Sequence, residues 1–387
     1  MTMKRRVTVE IDLDALVRNY RKIVARVRPA KVLCVLKANA YGLGVAAYAK
    51  SLADAGCENF GVAEPFEAME LLRVLGNVRG KAAKKRISVQ ILSSILPDEI
   101  PEMVAADVIL PITDLATAKL ISAAAAKAGK TARVHFKIDT GMGRLGILAK
   151  DAVATMKEVA ALPNLDCEGI FSHFATAFDP GNPFTNTQIA KFKAILAEAA
   201  KAGLKFRKVH IAASDGINNF PECARKPFTM VRTGINLHGS FDPCGRKALK
   251  VEPVLTLKTR IAQVRELPAG TTLGYGRTWC LAETTRVATI SAGYADGLPI
   301  ALTNKGFVII GGKLCPIIGR ISMDYATVDV SSVPSAKAGD EVICFGRSGK
   351  LSITPDDWAV VKGTHAYDII SSLGSRVERV NKGCRLK

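Results

Sequence analysis

A chain of 387 residues, 48% hydrophobic and 23% charged, exceeds the usual single domain and is too apolar to be disordered or fibrous. No apolar run approaches the ~18 residues of a membrane span, and Met1–Glu10 carries Lys4, Arg5 and Arg6 without the apolar core of an ordinary signal peptide. A formal net charge of +19 raises nucleic acid as a partner, but the basic residues are dispersed and no nucleic-acid-binding motif accompanies the densest group, Lys81–Arg86, which is expected to be a solvated loop.

In chain order, an apolar strand at Val7–Ile11 precedes a helix at Asp14–Val27. Strand-like runs follow at Val32–Leu36, Asn59–Ala63, Ile87–Leu92, Asp107–Leu110, Arg133–Ile138, Glu168–Phe171, Lys208–Ala212 and Thr229–Arg232. Helical periodicity fills most gaps, as at Ile112–Lys127 and Asn186–Ala202. This alternation predicts an α/β fold with a (β/α)8 barrel over 12–244, whose chemistry sits at the C-terminal strand ends. Beyond Cys244 the chain turns β-rich, with runs at Val254–Val264, Arg286–Ser291, Phe307–Ile310, Leu314–Ile318, Ala326–Val330 and Glu341–Phe345, then helical signals at Pro355–Val361 and Ala366–Leu373. A mostly β domain over 245–387 is expected, joined by the N-terminal strand within 1–11. The nine cysteines form no C-x-x-C pair and several, including Cys34 and Cys344, lie in apolar runs. That pattern predicts reduced, mostly buried thiols and a soluble cytoplasmic protein.

The most informative segment runs from Cys34 to Gly44. A buried strand ends at Lys37, where a low-dielectric edge lowers an ammonium pKa, so that the amine can form a Schiff base or take a proton. Gly42 and Gly44 permit a sharp turn and close approach to a ligand. A lone lysine after a strand is more often a surface residue, but the string Lys37-Ala38-Asn39-Ala40-Tyr41-Gly42-Leu43-Gly44 is specific. It resembles the cofactor-lysine segment of alanine racemases, the fold-type III enzymes that use pyridoxal 5′-phosphate (PLP), and the layout of barrel then β domain resembles theirs over essentially the whole chain.

Further segments carry the same resemblance. Lys137-Ile138-Asp139-Thr140-Gly141-Met142-Gly143-Arg144 presents an arginine fork suited to a phenolate or carboxylate. The family's pattern implies that Arg144 contacts the cofactor's 3′-oxygen region and the substrate carboxylate, and that Lys137 occupies a position carbamylated in many members. In Ser172-His173-Phe174-Ala175, His173 taken alone is more often a structural histidine, and although His135, His210 and His238 also sit near strands, no H-x-x-x-H or paired-carboxylate pattern completes a metal site; the resemblance places it beside the PLP ring. Ser214, at a predicted helix N-cap, with Gly234 and Ile235 matches the phosphate-binding positions, and Tyr41 matches a residue lining the PLP pocket. Arg232 matches the partner of the pyridine nitrogen. An arginine donates but cannot accept a proton, so the ring is expected to be a weaker electron sink than one held by a carboxylate.

Racemisation with two bases needs a second group opposite Lys37. Gly274-Tyr275-Gly276 resembles the family's catalytic tyrosine loop, which reaches across a dimer into the partner's barrel, so that Lys37 serves the D-face and Tyr275 the L-face. Met323, in Arg320-Ile321-Ser322-Met323-Asp324, matches a backbone contact to the substrate carboxylate, and Tyr294 resembles the tyrosine of the access channel. Three positions depart from the expected pattern: Ala213 stands for asparagine, Ser322 for cysteine, and Ser375 for a tyrosine near phosphate and substrate. The last predicts an enlarged pocket and some serine racemisation. The resemblance thus implies a homodimeric, PLP-dependent alanine racemase supplying D-alanine for peptidoglycan, with a racemase of serine or other small amino acids, or a non-catalytic PLP-binding protein, as alternatives.

Overall fold

The computed structural model describes residues 5–76 and 87–383, so Lys4, the basic group Lys81–Arg86 and Cys384 lie outside the described residues. Strand β1 (Thr8–Asp12) leads directly into a helix over Leu13–Val27. The Asp12 carboxylate caps that helix, accepting from the Ala15 amide at 2.8 Å. Leu16, Tyr20, Ile23 and Val27 recur at helical spacing and bury one face.

Eight parallel strands follow: β2 (Lys31–Val35), β3 (Asn59–Val62), β4 (Ser88–Ile91), β5 (Leu110–Ile112), β6 (Ala132–Asp139), β7 (Leu165–Phe171), β8 (Lys208–His210) and β9 (Met230–Thr233). They form two arcs, β9-β2-β3-β4 and β5-β6-β7-β8. The Ile109 amide closes one seam on Val89 O at 2.9 Å, and the Thr229 and Arg232 amides close the other on Val209 O and Ala212 O at 2.9 and 3.0 Å. Each of the eight expected strands is present, ending within two or three residues of its expected bounds. Their apolar runs reflect burial on both faces, against the barrel core and the helix ring.

Beyond the barrel come β10 (Leu255–Leu267), β11 (Thr285–Ile290), β12 (Phe307–Ile310), β13 (Lys313–Pro316), β14 (Ala326–Asp329), β15 (Glu341–Ser348) and β16 (Glu378–Lys382). The main sheet runs β13-β12-β15-β10-β1-β16, with β11 on β10 and β14 on β11. The N-terminal strand sits inside this sheet, antiparallel to β10 and parallel to β16. Helix Pro355–Lys362 packs against it through Trp358 on Phe345, and helix Ala366–Ser371 packs on that helix and on the turn that follows β2. Eight cysteines are described, all free, five of them buried. Among the described residues no helix is long and apolar enough to cross a membrane.

Candidate active site

Strand β2 buries Val32 to Val35, and the chain then turns in an unusual way. Ala38, Asn39, Ala40 and Tyr41 all have φ between 52° and 58°, one left-handed helical turn made without glycine. Such a turn costs about 1–2 kcal/mol per residue, so the surroundings must hold it. The Glu67 carboxylate accepts from the amides of Ala38 and Ala63, tying β2 to β3. Asn39 Oδ1 accepts from the Val45 amide at 2.7 Å, and Arg379 Nε from the C-terminal strand donates to Gly42 O at 2.9 Å. Gly42 and Gly44 continue the turn at φ 81° and 101°. Sequence alone assigned the turn to these two glycines; the four residues before them share it.

Lys37 emerges from this turn into a cavity of about 450 Å³ at the C-terminal mouth of the barrel. The same cavity is lined by Tyr41, Lys137, Arg144, His173, Ser214, Arg232 and Gly234, so eight of the twelve residues singled out from the sequence converge there. Burial lowers the Lys37 ammonium and the Arg144 charge lowers it further, against an opposing pull from Glu67. Lys137 is buried and held by Leu92 O and Ser93 O at 2.7 and 3.0 Å. Burial, Arg144 and Arg232 bring it down to about 8. Arg144 rides a loop fastened by the Asp139 carboxylate, which accepts from the Gly141 and Gly143 amides at 2.8 and 2.9 Å. Gly146 is required behind that loop, since a Cβ there would meet Lys137 O at 2.7 Å.

Arg232 is buried and acts as a hub of donors. Its Nη2 lies 2.8 Å from Ser172 O and Ile211 O and 3.2 Å from His173 Nδ1, while Nη1 lies 2.7 Å from His210 Nδ1. Burial lowers the guanidinium to about 9, so it stays charged at neutral pH. Burial and the Arg232 charge bring His173 down to about 3, leaving a neutral imidazole.

One end of the cavity gathers hydroxyls and amides. The Gly234 amide donates to Ser214 Oγ at 3.1 Å, and a Cβ on Gly234 would fall 2.1 Å from the Tyr41 hydroxyl. Ser214 is the first residue of helix Ser214–Asn219, with Ala213 in the capping position, a correction of one residue to the expected N-cap. Ile235 is fully buried, and its backbone opens the short turn after Gly234. Thr233 Oγ1 is buried without a partner at this end. Tyr367, which sequence reasoning missed, also lines the cavity; it is half-buried, its phenol adjoins Ser214, and its ring lies 5.8 Å from that of Tyr41. Its one sequence signal was a tyrosine inside a predicted helix. Ser375, by contrast, is exposed and does not line the cavity. The expected pocket enlargement at that position is therefore corrected: a phenol already stands beside Ser214, supplied by Tyr367.

Tyr275, Tyr294 and Met323 lie elsewhere. All three are exposed on the β domain, and none lines the Lys37 cavity of its own chain. The Tyr294 and Ala295 amides donate to Ser322 O and Met323 O at 3.0 and 3.1 Å, joining the two loops. Tyr275 borders a separate depression with Arg320, Ser322 and Tyr325.

The geometry agrees with what the chain is similar to. Family models described as the alanine racemase N-terminal and C-terminal domains match residues 11–242 and 254–381. The chain belongs to the alanine racemase family. It is 36% identical to an alanine racemase of Desulforamulus reducens over 98% of this chain and all of that protein. The crystal structure of an alanine racemase from Streptomyces lavendulae, a producer of D-cycloserine, superposes with a TM-score of 0.89 at 34% identity, covering 99% of this chain and 98% of that one. An alanine racemase from Bartonella henselae with covalently bound pyridoxal phosphate gives 0.86 at 30% identity, covering 98% and 100%. The family's architecture of barrel plus β domain is the architecture described above.

Proposed function

We propose that the protein is a PLP-dependent alanine racemase, interconverting L- and D-alanine, and that Lys37 both holds the cofactor and exchanges the Cα proton. The observation that carries this is the convergence of a pKa-lowered lysine, a buried arginine hub and a hydroxyl-and-amide pocket on one cavity. The residues fit PLP on features of their own. The space over Gly234 cannot hold a Cβ, Thr233 Oγ1 is a buried orphan, and Tyr41, Ser214 and Tyr367 surround the same end. Ser214, Gly234, the Ile235 amide and Tyr367 would hold the phosphate, His173 would pack beside the ring, and Arg232 would face the pyridine nitrogen. When bound, PLP supplies an electron sink that acidifies the Cα proton of an attached amino acid.

This chain's side chains do the rest. The lowered Lys37 pKa keeps a fraction of the amine neutral and able to take a proton from one face of Cα. Arg144, with the Met323 backbone, would orient the substrate carboxylate. Tyr275 would serve the opposite face. Because it stands outside its own chain's cavity, we assign it to the cavity of a second copy, giving a homodimer with two composite sites. Lys137, neutral in part near pH 8, would add to CO₂ with loss of a proton, and the resulting carbamate would steady Arg144. Tyr294 would line the approach. A role in supplying D-alanine for peptidoglycan from the cytoplasm completes the reading.

The test is incubation of PLP-loaded protein with L-alanine in D₂O. Deuterated D-alanine approaching an equal mixture is expected. A yellow, PLP-loaded protein that leaves alanine untouched but deuterates serine would favour the serine alternative.

A further inference from the structure

A line of four buried side chains crosses the barrel interior from β7, β6 and β8 to β9. Glu168 Oε1 lies 3.2 Å from His135 Nε2, His135 Nδ1 lies 3.4 Å from His210 Nε2, and His210 Nδ1 lies 2.7 Å from Arg232 Nη1. The histidines are fully buried, and Glu168 and Arg232 nearly so. Room for the line is built in. Gly169 faces the His135 ring so closely that a Cβ would come within 2.6 Å of it, and the Phe171 ring stacks on His210 at 5.1 Å and 5°.

The direction of every bond in this line follows from its ends. A guanidinium can only donate, so His210 Nδ1 must accept and His210 Nε2 must carry the proton. That proton points to His135 Nδ1, which must therefore be bare, and His135 Nε2–H then donates to the Glu168 carboxylate. Glu168 accepts in turn from Lys208 Nζ at 3.0 Å and Arg207 at 3.2 Å, at the N-terminal side of the barrel. The opposite tautomer at His210 sets its Nδ1–H against the Arg232 donor, and the opposite tautomer at His135 sets its Nδ1–H against His210 Nε2–H and a bare Nε2 against the Glu168 carboxylate. Consistently, burial keeps both imidazoles neutral, and Glu168 stays ionised because His135 and Lys208 outweigh its burial.

We propose that Glu168 and His135 are positioning residues that act through His210 to hold the Arg232 guanidinium in the orientation it presents to the cavity. The inference rests on the proposed role of Arg232 toward the cofactor ring, but its first test does not. With five histidines in the chain, selective ¹⁵N-histidine labelling resolves each ring. In wild-type protein, with and without PLP, His135 and His210 should both carry the proton on Nε2 with Nδ1 bare. Glu168→Leu should leave both rings without a single tautomer, shift the visible band of the bound cofactor, and lower kcat for alanine about tenfold with KM nearly unchanged, the loss typical when the partner orienting a functional histidine is removed. Glu168→Gln, whose amide oxygen still accepts, should restore the tautomers and most of the activity. His135→Leu, which cuts the line one strand further on, is the second measurement should Glu168→Leu not fold. A wild-type His210 protonated on Nδ1, or cut variants that keep the wild-type His210 signal and kcat, would overturn the inference. A wild-type protein that does not racemise any amino acid would overturn the function instead, leaving the tautomer result to decide the relay.

Discussion

The barrel mouth and the exposed face of the β domain carry the two sets of residues that the proposed composite site would combine, and they are built by opposite means. In the barrel, Lys137 and Arg232 are buried, His173 is half-buried and Lys37 stands at the exposed rim of the cavity, and desolvation moves the pKa of each downward. On the β domain, Tyr275 is 72% exposed and Met323 52% exposed. A chemically prepared pocket and a set of exposed side chains on a structured loop make sense together when the second completes the first in another copy. On the composite-site proposal, the difference teaches that a single chain would carry all the parts of the site without assembling them.

The largest expected effect tests that division. Lys37→Met and Tyr275→Phe should each lower racemisation by about 10²–10⁴, the range of a lost general acid or base, while Tyr275→Phe keeps PLP bound. Mixing the two inactive variants under subunit exchange should restore about a quarter of wild-type activity, since half the dimers are mixed and each has one intact site. No recovery from a demonstrably exchanged mixture breaks the composite site. Next, Gly234→Ala should weaken PLP binding by about 5- to 150-fold in a fluorescence titration, because the added methyl meets the Tyr41 hydroxyl and overpacking costs about 1–3 kcal/mol. An unchanged affinity would move the phosphate elsewhere.

A smaller effect concerns pH. Lys137 has a folded pKa of about 8, below its value in an unfolded chain near ~10.4. The folded state therefore binds fewer protons at this site between those values, and its contribution to stability rises with pH across that window. Wild-type Tm should gain on Lys137→Met between pH 8 and 10, and a parallel pair of curves would show that Lys137 does not titrate there. Labelled bicarbonate near pH 8 should also yield a carbamate ¹³C signal that Lys137→Met lacks. Smallest of all, Ser375→Tyr should leave the serine-to-alanine ratio of kcat/KM unchanged, because Ser375 lies outside the cavity, whereas Tyr367→Phe should raise the PLP dissociation constant severalfold, by about 1 kcal/mol for one hydrogen bond.

Eight βα units were legible because strands buried on both faces read as uninterrupted apolar runs, which put Lys37, His173 and Arg232 at strand ends, whereas the roles of these residues and of Arg144 were legible only through the resemblance of their motifs to those of alanine racemases. Tyr367 was not legible, since a tyrosine in a short C-terminal helix has the pattern of a core residue until that helix is seen to close on the Lys37 turn. The left-handed turn at Ala38–Tyr41 was hidden for a related reason. Alanine has no preference for that conformation, and the contacts from Glu67, Val45 and Arg379 that hold it come from three other elements.

The sequence by itself determined the architecture, the family and the lysine at the mouth of a buried strand, because hydrophobic periodicity and short motifs are local. Only the tertiary structure decided which phenol stands beside Ser214, how Glu168 and two histidines line up behind Arg232, and that Tyr275 stands outside its own chain's cavity. Those outcomes depend on side chains tens to hundreds of residues apart, brought together by strand order and by the packing of one domain on the other, and local pattern does not encode that distance.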